Sequence, residues 1–296
     1  MTTQDQLLGQ RAGLSETGTR RPRVGRATLR AIYIIWYRDV VRYVRDRTRL
    51  VASLAQPLLY LLIFGTGLSS ALGGGFAGTS GGLTYTQFIF PGVISMTVLF
   101  TAMFGAMSIV WDREFGFLKE ILVAPIDRSA VAIGKALGGA TQAMVQGLIL
   151  LVLAPVIGVK LTLLSIIELV PLVFLLAFTL SALGVVIAAR LKSMQGFQMV
   201  MNFLMMPIFF LSGALFPMSG LPAWMTVLTR LDIASYGIDP IRRVVLGGAG
   251  VPNAALDKLG LTLFGNPLPI LVEALILLAV GVVFLAFAVQ AFRHRD

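Results

Sequence analysis

Residues 161–189 read LTLLSIIELVPLVFLLAFTLSALGVVIAA, an apolar run with one charged residue, Glu168. An α-helix rises about 1.5 Å per residue, so about 20 apolar residues cross a hydrocarbon core of about 30 Å. The run is also about twice as long as a strand of a membrane barrel needs to be. The segment therefore predicts a membrane-spanning α-helix.

Five further stretches meet the same length requirement, and together they predict an all-α integral membrane protein with six transmembrane helices. The six stretches are residues 50–69, 88–110, 136–159, 161–189, 196–216 and 268–292. Only Pro155, Gly158 and Lys160 mark the break between the third and the fourth. We assign residues 50–296 to one six-span transmembrane domain.

The composition of the whole chain agrees with a membrane protein. Of its 296 residues, 57% are hydrophobic and 13% are charged, and the mean hydropathy is +0.87. Soluble domains contain roughly 25% charged residues, so the composition excludes a cytosolic enzyme. The chain has no cysteine and a single histidine, His294, which excludes disulfides and thiolate zinc sites. We expect no metal site.

The net charge of +10 is distributed unevenly along the chain. Residues 1–49 contain 11 Lys and Arg, and the connections on the same predicted side raise that count to 19, against 5 on the other side. Positively charged connections favour the cytoplasm. Both termini are therefore predicted to be cytoplasmic, and the positive charge is assigned to contact with membrane lipids, not nucleic acid.

Two different patterns precede the first predicted span. Residues 1–25 are rich in Thr, Gly and Arg without helical periodicity, which is typical of a disordered leader. Residues 26–49 place apolar and aromatic side chains at helical spacing beside a row of arginines. The arginines are Arg38, Arg42, Arg45 and Arg49. This amphipathic helix is predicted to lie at the membrane interface, and packing against a partner is a compatible alternative.

The connection between the second and third spans, residues 111–128, reads WDREFGFLKEILVAPIDR. Four of its apolar residues share one helical face. They are Phe117, Leu118, Ile121 and Leu122. Pro125 ends the pattern, which predicts a short amphipathic helix over about residues 112–123. Such a helix either lies on the membrane or binds a groove on a partner protein.

Two blocks of the sequence resemble the permease subunits of type-2 ABC transporters, in particular multidrug exporters of the daunorubicin-resistance type. The first block, residues 111–135, has the family's order of Asp112, Arg113, Glu114, Gly116, Leu118, Leu122, Pro125, Gly134 and Lys135. The second, residues 212–248, has Gly213, Phe216, Pro217, Leu221, Pro222, Trp224, Tyr236, Asp239 and Arg242. The chain departs from the family at Phe117, where a small polar residue is common, and at Asp232-Ile233, where Asn-Pro is usual.

The resemblance implies a prokaryotic plasma-membrane (inner-membrane) exporter whose 112–123 helix is a coupling helix that contacts a separate ABC ATPase. By that resemblance, the coupling residues are Asp112, Glu114, Phe117, Leu118, Ile121 and Leu122. It also implies two ATPase copies, which bind ATP and Mg²⁺, and a second permease chain that forms a homodimer.

This chain lacks a phosphate-binding loop of its own. Around Gly134 and Lys135, Ser129 replaces the first glycine of that motif and Ala136 replaces its hydroxyl residue. We therefore predict that the chain is not an enzyme by itself and that it holds no cofactor.

Residues 217–250, between the fifth and sixth spans, contain apolar segments that are too short to cross. Segments of this length are typical of re-entrant or interfacial helices, and the resemblance implies an outer re-entrant helical hairpin. The candidate outer gate consists of Phe216, Pro217, Trp224, Tyr236, Asp239 and Arg242.

Polar and soft side chains within the spans are the candidates for a substrate pathway. On the second span they are Thr97, Thr101, Phe104 and Ser108, which share one face, and on the fifth they are Gln198, Asn202 and Met205. The alternative is that these residues only join neighbouring helices or face lipid. Lys135 is expected to extend to the inner membrane surface.

We predict that the chain exports a lipophilic drug or a lipid-like molecule from the cytoplasm or the inner leaflet. Two alternatives stay open: export of a polysaccharide or glycoconjugate, and ion-coupled secondary transport. Glu168 and Glu273 lie near the outer ends of their predicted spans, where either could pair with Arg242 or Arg243.

Overall fold

The computed structural model describes residues 24–79, 83–115, 127–218, 220–248, 251–252, 256, 259–263 and 266–293. Within these residues the chain is almost entirely helical. The helices are α1 (Val24–Arg45), α2 (Arg47–Thr79), α3 (Tyr85–Gly105), α4 (Met107–Glu114), α5 (Arg128–Leu151), α6 (Leu163–Arg190), α7 (Met194–Leu211), α8 (Ala223–Leu231), α9 (Ser235–Gly248) and α10 (Ile270–Arg293). A 3₁₀ helix covers Ala154–Ile157, and strands β1 (Thr262–Leu263) and β2 (Asn266–Pro267) pair antiparallel.

Five helical segments among the described residues are long and apolar enough to cross a membrane. They are Leu50–Ala71 in α2, Tyr85–Glu114 across α3 and α4, Leu163–Arg190, Met194–Leu211 and Ile270–Arg293. Each matches one of the six predicted spans. The prediction of an all-α membrane protein is therefore confirmed, with five candidate spans in place of six.

The third predicted span, residues 136–159, has different bounds in the structure. Helix α5 begins earlier, at Arg128, because the carboxylate of Asp127 caps it by accepting a hydrogen bond (3.0 Å) from the N–H of Ser129. It ends at Leu151, and the 3₁₀ helix then contains Pro155. The 24 residues of α5 include Gly, Gln and Thr, which explains why this helix is less apolar than the five candidates.

Side-chain caps set the beginnings of three other spans. Thr84 and Gln87 form a reciprocal capping box at the start of α3. Thr162 caps α6 and Ser193 caps α7 through hydrogen bonds to backbone N–H groups. These caps place the helix starts within a few residues of the predicted bounds.

Helices α3, α5 and α6 form the centre of the helical body, and α10 packs against α6. Small residues allow the central helices to approach closely. A side chain on Gly139 would collide with Ser181 Oγ at 2.4 Å, and one on Gly184 would lie 2.9 Å from the carbonyl oxygen of Met103. The hydroxyl of Ser181 also donates a hydrogen bond (2.9 Å) to the Ala136 carbonyl, which joins α6 to α5.

Helix α1 packs along α5. Gly134 leaves room for the side chain of Ile35, and Gly138 leaves room for Asp39, which gives the Gly-x-x-x-Gly pair a packing role. The opposite side of α1 exposes Leu29, Tyr33, Ile34 and Tyr37.

Hydrogen bonds follow the same seam between α1 and α5. The indole N–H of Trp36 donates to Thr141 Oγ1 (2.9 Å), and the hydroxyl of Tyr43 donates to Gln146. The contact between α1 and α5 is therefore both closely packed and hydrogen-bonded, and it fixes the rotation of α1 relative to α5.

The packing of α1 on α5 predicts an asymmetry between two glycine variants. A Cβ on Gly134 would lie 2.9 Å from Ile35, whereas one on Gly67 would meet nothing within 4 Å. We expect Gly134→Leu to lower the free energy of unfolding by about 1–3 kcal/mol, because it separates α1 from α5. Gly67→Leu should leave stability unchanged or slightly higher. Denaturant unfolding of both variants in one detergent measures the difference, and equal stabilities would contradict the close packing.

Candidate functional site

The last turn of α4 contains the start of the predicted coupling segment, and two of its charged side chains bind neighbouring helices. Arg113 donates hydrogen bonds to the carbonyls of Ala188 (3.3 Å) and Leu191, where α6 ends. Glu114 accepts a hydrogen bond (2.9 Å) from the backbone N–H of Met194, the first residue of α7. Backbone groups at helix ends lack partners within the helix. These two residues supply such partners and join α4 to the connection between α6 and α7.

Lys135 of α5 lies at the centre of a buried ion-pair network. Its Nζ is 3.1 Å from Asp39 Oδ2 on α1 and 3.3 Å from Asp112 Oδ2 on α4. It also donates a hydrogen bond to Ser108 Oγ at 3.0 Å. Arg38 Nη2 lies 3.6 Å and 3.9 Å from the two carboxylates. The network holds α1, α4 and α5 together.

The expectation that Lys135 extends to the membrane surface is wrong. Its side chain is only 4% exposed. Two carboxylates inside the protein, those of Asp39 and Asp112, pair with the ammonium group, so the side chain does not need to reach water. Asp112, a predicted coupling residue, is also buried and paired within the chain, whereas Glu114 and Phe115 are exposed.

The predicted coupling helix also begins differently. Asp112 and Glu114 belong to α4, which begins at Met107, and they do not form the first turn of a new helix. The other four predicted coupling residues lie outside the described residues. They are Phe117, Leu118, Ile121 and Leu122.

Two adjoining cavities lie beside α3, where a substrate pathway is predicted. The smaller, about 210 Å³, is lined by Thr97, Thr101 and Phe104. The larger, about 470 Å³, is lined by Phe104, Ser108 and Gln198. The structure therefore brings five of the seven predicted pathway residues to these two cavities.

Two predicted pathway residues lie elsewhere. Met205 is buried in the apolar core, and Asn202 is exposed on α7 without lining either cavity. The Thr97 hydroxyl donates to the carbonyl of Val93 (2.9 Å), so it bonds its own helix as well as facing the cavity.

The prediction missed the walls that α1 and α2 contribute. Tyr43 lines both cavities, and Ser53 and Gln56 line the smaller one. Gln146 accepts a hydrogen bond from Tyr43 and donates one to Ser53 Oγ (2.8 Å), which joins these walls to α5. The available signal was a pair of polar residues, Ser53 and Gln56, near the start of the first span.

Two of the predicted outer-gate residues form a buried charged cluster. The Arg242 guanidinium lies 4.7 Å from the centre of the Phe88 ring and donates a hydrogen bond to the carbonyl of Gly213. Burial lowers the pKa of Arg242 to about 10, so it stays charged at neutral pH. Asp239 pairs with Arg243 at 2.7 Å. The cluster joins α9 to α3 and to the turn after α7.

The other outer-gate residues are less enclosed. Phe216 and Pro217 are half-buried, and Trp224 on α8 is 64% exposed. The hydroxyl of Tyr236 donates a hydrogen bond (2.8 Å) to the carbonyl of Arg230, which links α9 to α8. The six residues therefore do not form a single cluster.

Glu273 on α10 is buried near the same cluster, with one carboxylate oxygen 4.0 Å from Arg243 Nη2. The described residues contain no group of three or more His, Cys, Asp or Glu that could hold a metal ion. Arg243 therefore pairs with Asp239 within α9 and lies close to Glu273 on α10.

Residues 30–246, from α1 to α9, match the family model of the ABC-2 type transporter. The chain belongs to this family. Nodulation protein J of Rhizobium leguminosarum bv. trifolii is 29% identical over 216 residues, which cover 72% of this chain and 80% of that protein. The inner membrane transport permease YadH of Escherichia coli K12 is 26% identical over 224 residues, 75% of this chain and 85% of YadH. The ycf38 protein of Cyanophora paradoxa is 26% identical over 216 residues, 72% and 73% of the two chains.

Family membership confirms the resemblance to type-2 ABC permeases. This ABC-2 family permease therefore carries, among its described residues, a charged network at the end of α4, two cavities beside α3 and a buried charged cluster on α9. The matched residues include all three.

The Lys135 network predicts a strong and repairable loss of stability. Lys135→Met leaves two buried carboxylates with Arg38 as their remaining basic partner, so we expect the free energy of unfolding to fall by roughly 3 kcal/mol. The triple variant Lys135→Met, Asp39→Asn, Asp112→Asn removes the charges together and should recover most of that loss. Unfolding in detergent compares the three proteins. A triple variant no more stable than Lys135→Met would show that the charge pairing is not what stabilises this region.

Asp232, at the end of α8, predicts a pH-dependent stability. Burial raises its pKa to about 7; one oxygen accepts from the N–H of Ala234 (3.0 Å), and the other has no partner. Because the folded state holds this proton more tightly than the unfolded state does, stability falls as pH rises from about 4 to about 7 and is constant above that range. Asp232→Asn keeps the acceptor and removes the charge. Its advantage in melting temperature should therefore grow with pH across this window, and an advantage independent of pH would contradict the assignment.

Proposed function

We propose that this chain is the membrane permease of an ATP-driven exporter that moves an apolar or amphiphilic molecule from the cytoplasm or inner leaflet outward. The observation that carries the proposal is the position of the two cavities. Their lining includes α3 and α4 residues from Met96 to Trp111, and the predicted coupling segment begins at the next residue, Asp112. Membership of the ABC-2 family and the similarity to YadH, a transport permease by name, support it.

The proposed energy source is a separate ABC ATPase, present in two copies that bind ATP and Mg²⁺, acting on a homodimer of this chain. The segment between Glu114 and Asp127 connects α4 to α5, and force applied there reaches several helices. Arg113 and Glu114 carry it to the α6–α7 connection, and Asp112 carries it to Lys135 on α5.

We propose one role for Asp112 and another for the remaining five coupling residues. Glu114 and the four apolar residues of the segment are proposed to form or support the surface that the ATPase contacts. Asp112 is instead proposed to transmit movement inside the permease, because it is buried against Lys135.

We further propose that α5 is the sixth crossing. Its 24 residues would span about 36 Å, and its buried residues, such as Gly139 and Gln146, face the protein where they need not be apolar. Helices α8 and α9 have nine and 14 residues and are too short to cross. We assign them to the outer re-entrant hairpin, and α1 to the inner membrane interface with residues 1–25 as a cytosolic leader.

In this orientation both termini are cytoplasmic. The chain has no cysteine, so single-cysteine labelling maps it without background. An impermeant maleimide added outside the cell should label Asn266→Cys and not Lys192→Cys, two exposed positions at opposite predicted ends of the spans. The reverse pattern would invert the proposed topology.

A polysaccharide or glycoconjugate is a second candidate cargo. The larger cavity includes the amide side chains of Gln142 and Gln198, which can hydrogen-bond to sugar hydroxyls. Ion-coupled secondary transport is an alternative to ATP-driven transport. The two are distinguished by whether transport survives depletion of ATP.

The proposed coupling predicts an uncoupled variant. We expect Glu114→Ala with Leu118→Ala to reduce ATP-dependent transport about tenfold, a coupling loss of about 1.4 kcal/mol, while ATP hydrolysis continues. The measurement uses inverted vesicles that contain the chain and its partner ABC ATPase, with a fluorescent lipid analogue as cargo. Leu228→Ala, an exposed leucine on α8, is the matched control and should transport normally. Normal transport in the folded double variant would refute the coupling role.

A further inference from the structure

A positive charge stands at the larger cavity without an ion pair. Arg42 lines that cavity from α1. It also borders a second, shallow groove on the surface of α1, together with Arg38 and Arg45. Arg42 takes part in none of the ion pairs formed among the described residues.

The neighbouring charges balance one another and leave Arg42 in excess. Asp39 and Asp112 carry two negative charges, and they are matched by Lys135 and Arg38 at 3.1–3.9 Å. Among the described residues, the other acid near Arg42 is Asp46, which borders the groove on α1 and does not line the cavity. Within the described lining, the larger cavity therefore has one positive charge that no ion pair compensates.

Other polar side chains of the cavity already form hydrogen bonds within the protein. Gln142 Nε2 donates to the backbone carbonyl of Asp39 (3.2 Å), and Ser108 donates to that of Gly105 (3.2 Å) while it accepts from Lys135. The guanidinium of Arg42 keeps five N–H donors in a planar fork, which fits the oxygens of a phosphate or carboxylate. The chemistry of this cavity favours an anionic group.

The smaller cavity has the opposite character. Its walls include Pro57, Met96 and Phe100, and it adjoins the larger cavity at Tyr43 and Phe104, which line both. Met and Phe side chains accommodate an alkyl chain without a fixed geometry. A molecule in both cavities would have a charged end and an apolar end.

We propose that the two cavities form one binding site for an amphiphile with an anionic headgroup, whose phosphate or carboxylate lies beside Arg42 and whose apolar chain lies against Met96 and Phe100. The proposal deepens the exporter function and rests on it for the direction of movement. Binding itself is independent of the ATPase and is tested without it.

Trp111 lines the larger cavity, so its fluorescence reports occupancy there. The full-length chain is placed in phosphatidylcholine nanodiscs, and brominated phosphatidylglycerol or brominated phosphatidylcholine with identical chains is added as quencher. Subtraction of the signal of Trp111→Phe removes the contributions of Trp36 and Trp224. We expect half-maximal quenching of Trp111 at about tenfold lower phosphatidylglycerol than phosphatidylcholine.

Arginine variants separate the cavity from the general charge of α1. Arg42→Gln should abolish the preference for phosphatidylglycerol, and Arg42→Lys should keep part of it. Arg30→Gln removes an exposed charge from the same helix that lines neither cavity, and it should bind as the unmodified chain does. Equal quenching by the two lipids, or an equal loss in Arg30→Gln, would overturn the proposal.

Two further measurements show whether the bound anion is a lipid headgroup or a free ion, and separate a failure of binding from a failure of transport. Displacement of the brominated lipid by millimolar inorganic phosphate would assign the site to a free anion and refute the amphiphile. The Glu114→Ala, Leu118→Ala variant should retain the lipid preference. Loss of transport with intact binding then tests the proposed exporter mechanism. Absence of binding contradicts the proposed lipid site and leaves the exporter mechanism unaffected.

Discussion

The pairing of Lys135 with Asp39 and Asp112 is the interaction on which the packing of α1, α4 and α5 depends. An ammonium group removed from water costs several kcal/mol unless opposite charges surround it. Here those charges come from two other helices, α1 and α4, so the three helices can bury Lys135 only when they are together. Once α4 is held, Arg113 and Glu114 on its last turn hold the end of α6 and the start of α7.

Helices in lipid gain little from apolar contact with one another, because lipid chains are as apolar as leucine. The central helices are therefore joined by close approach at small residues and by hydrogen bonds such as that from Ser181 to Ala136. This explains the character of α5. A helix surrounded by protein need not be apolar, and Gly134, Gly138 and Gly139 are used for contact with α1 and α6. Helix α5 is not among the five candidate spans because these glycines, together with its Gln, Thr and Lys residues, lower its mean hydropathy.

The long apolar helices were predictable from the sequence because the bilayer imposes their length and composition, as in α3 and α6. The cavity-facing side of α3 was also predictable, since helical periodicity places Thr97, Thr101 and Phe104 on one face. Periodicity does not show which face of α7 meets α3, so Asn202 and Met205 were assigned to the pathway and lie elsewhere. The partners of Lys135 were not predictable, because Asp39 is 96 residues away and tertiary packing alone brings them together.

The two ends of α3 are held by different kinds of contact. At the end near Phe88, Arg242 is enclosed between the Phe88 ring and the carbonyl of Gly213, with almost no exposure to solvent. At the other end, α3 continues into α4, which packs Ile109 and Val110 in the apolar core and adds ion pairs and hydrogen bonds at helix ends. Ionic contacts of this kind can exchange one partner for another, whereas a close-packed guanidinium cannot shift without leaving a void. A displacement of α4 therefore changes the end of α3 that joins α4 most, and both cavities meet at Phe104, next to that end.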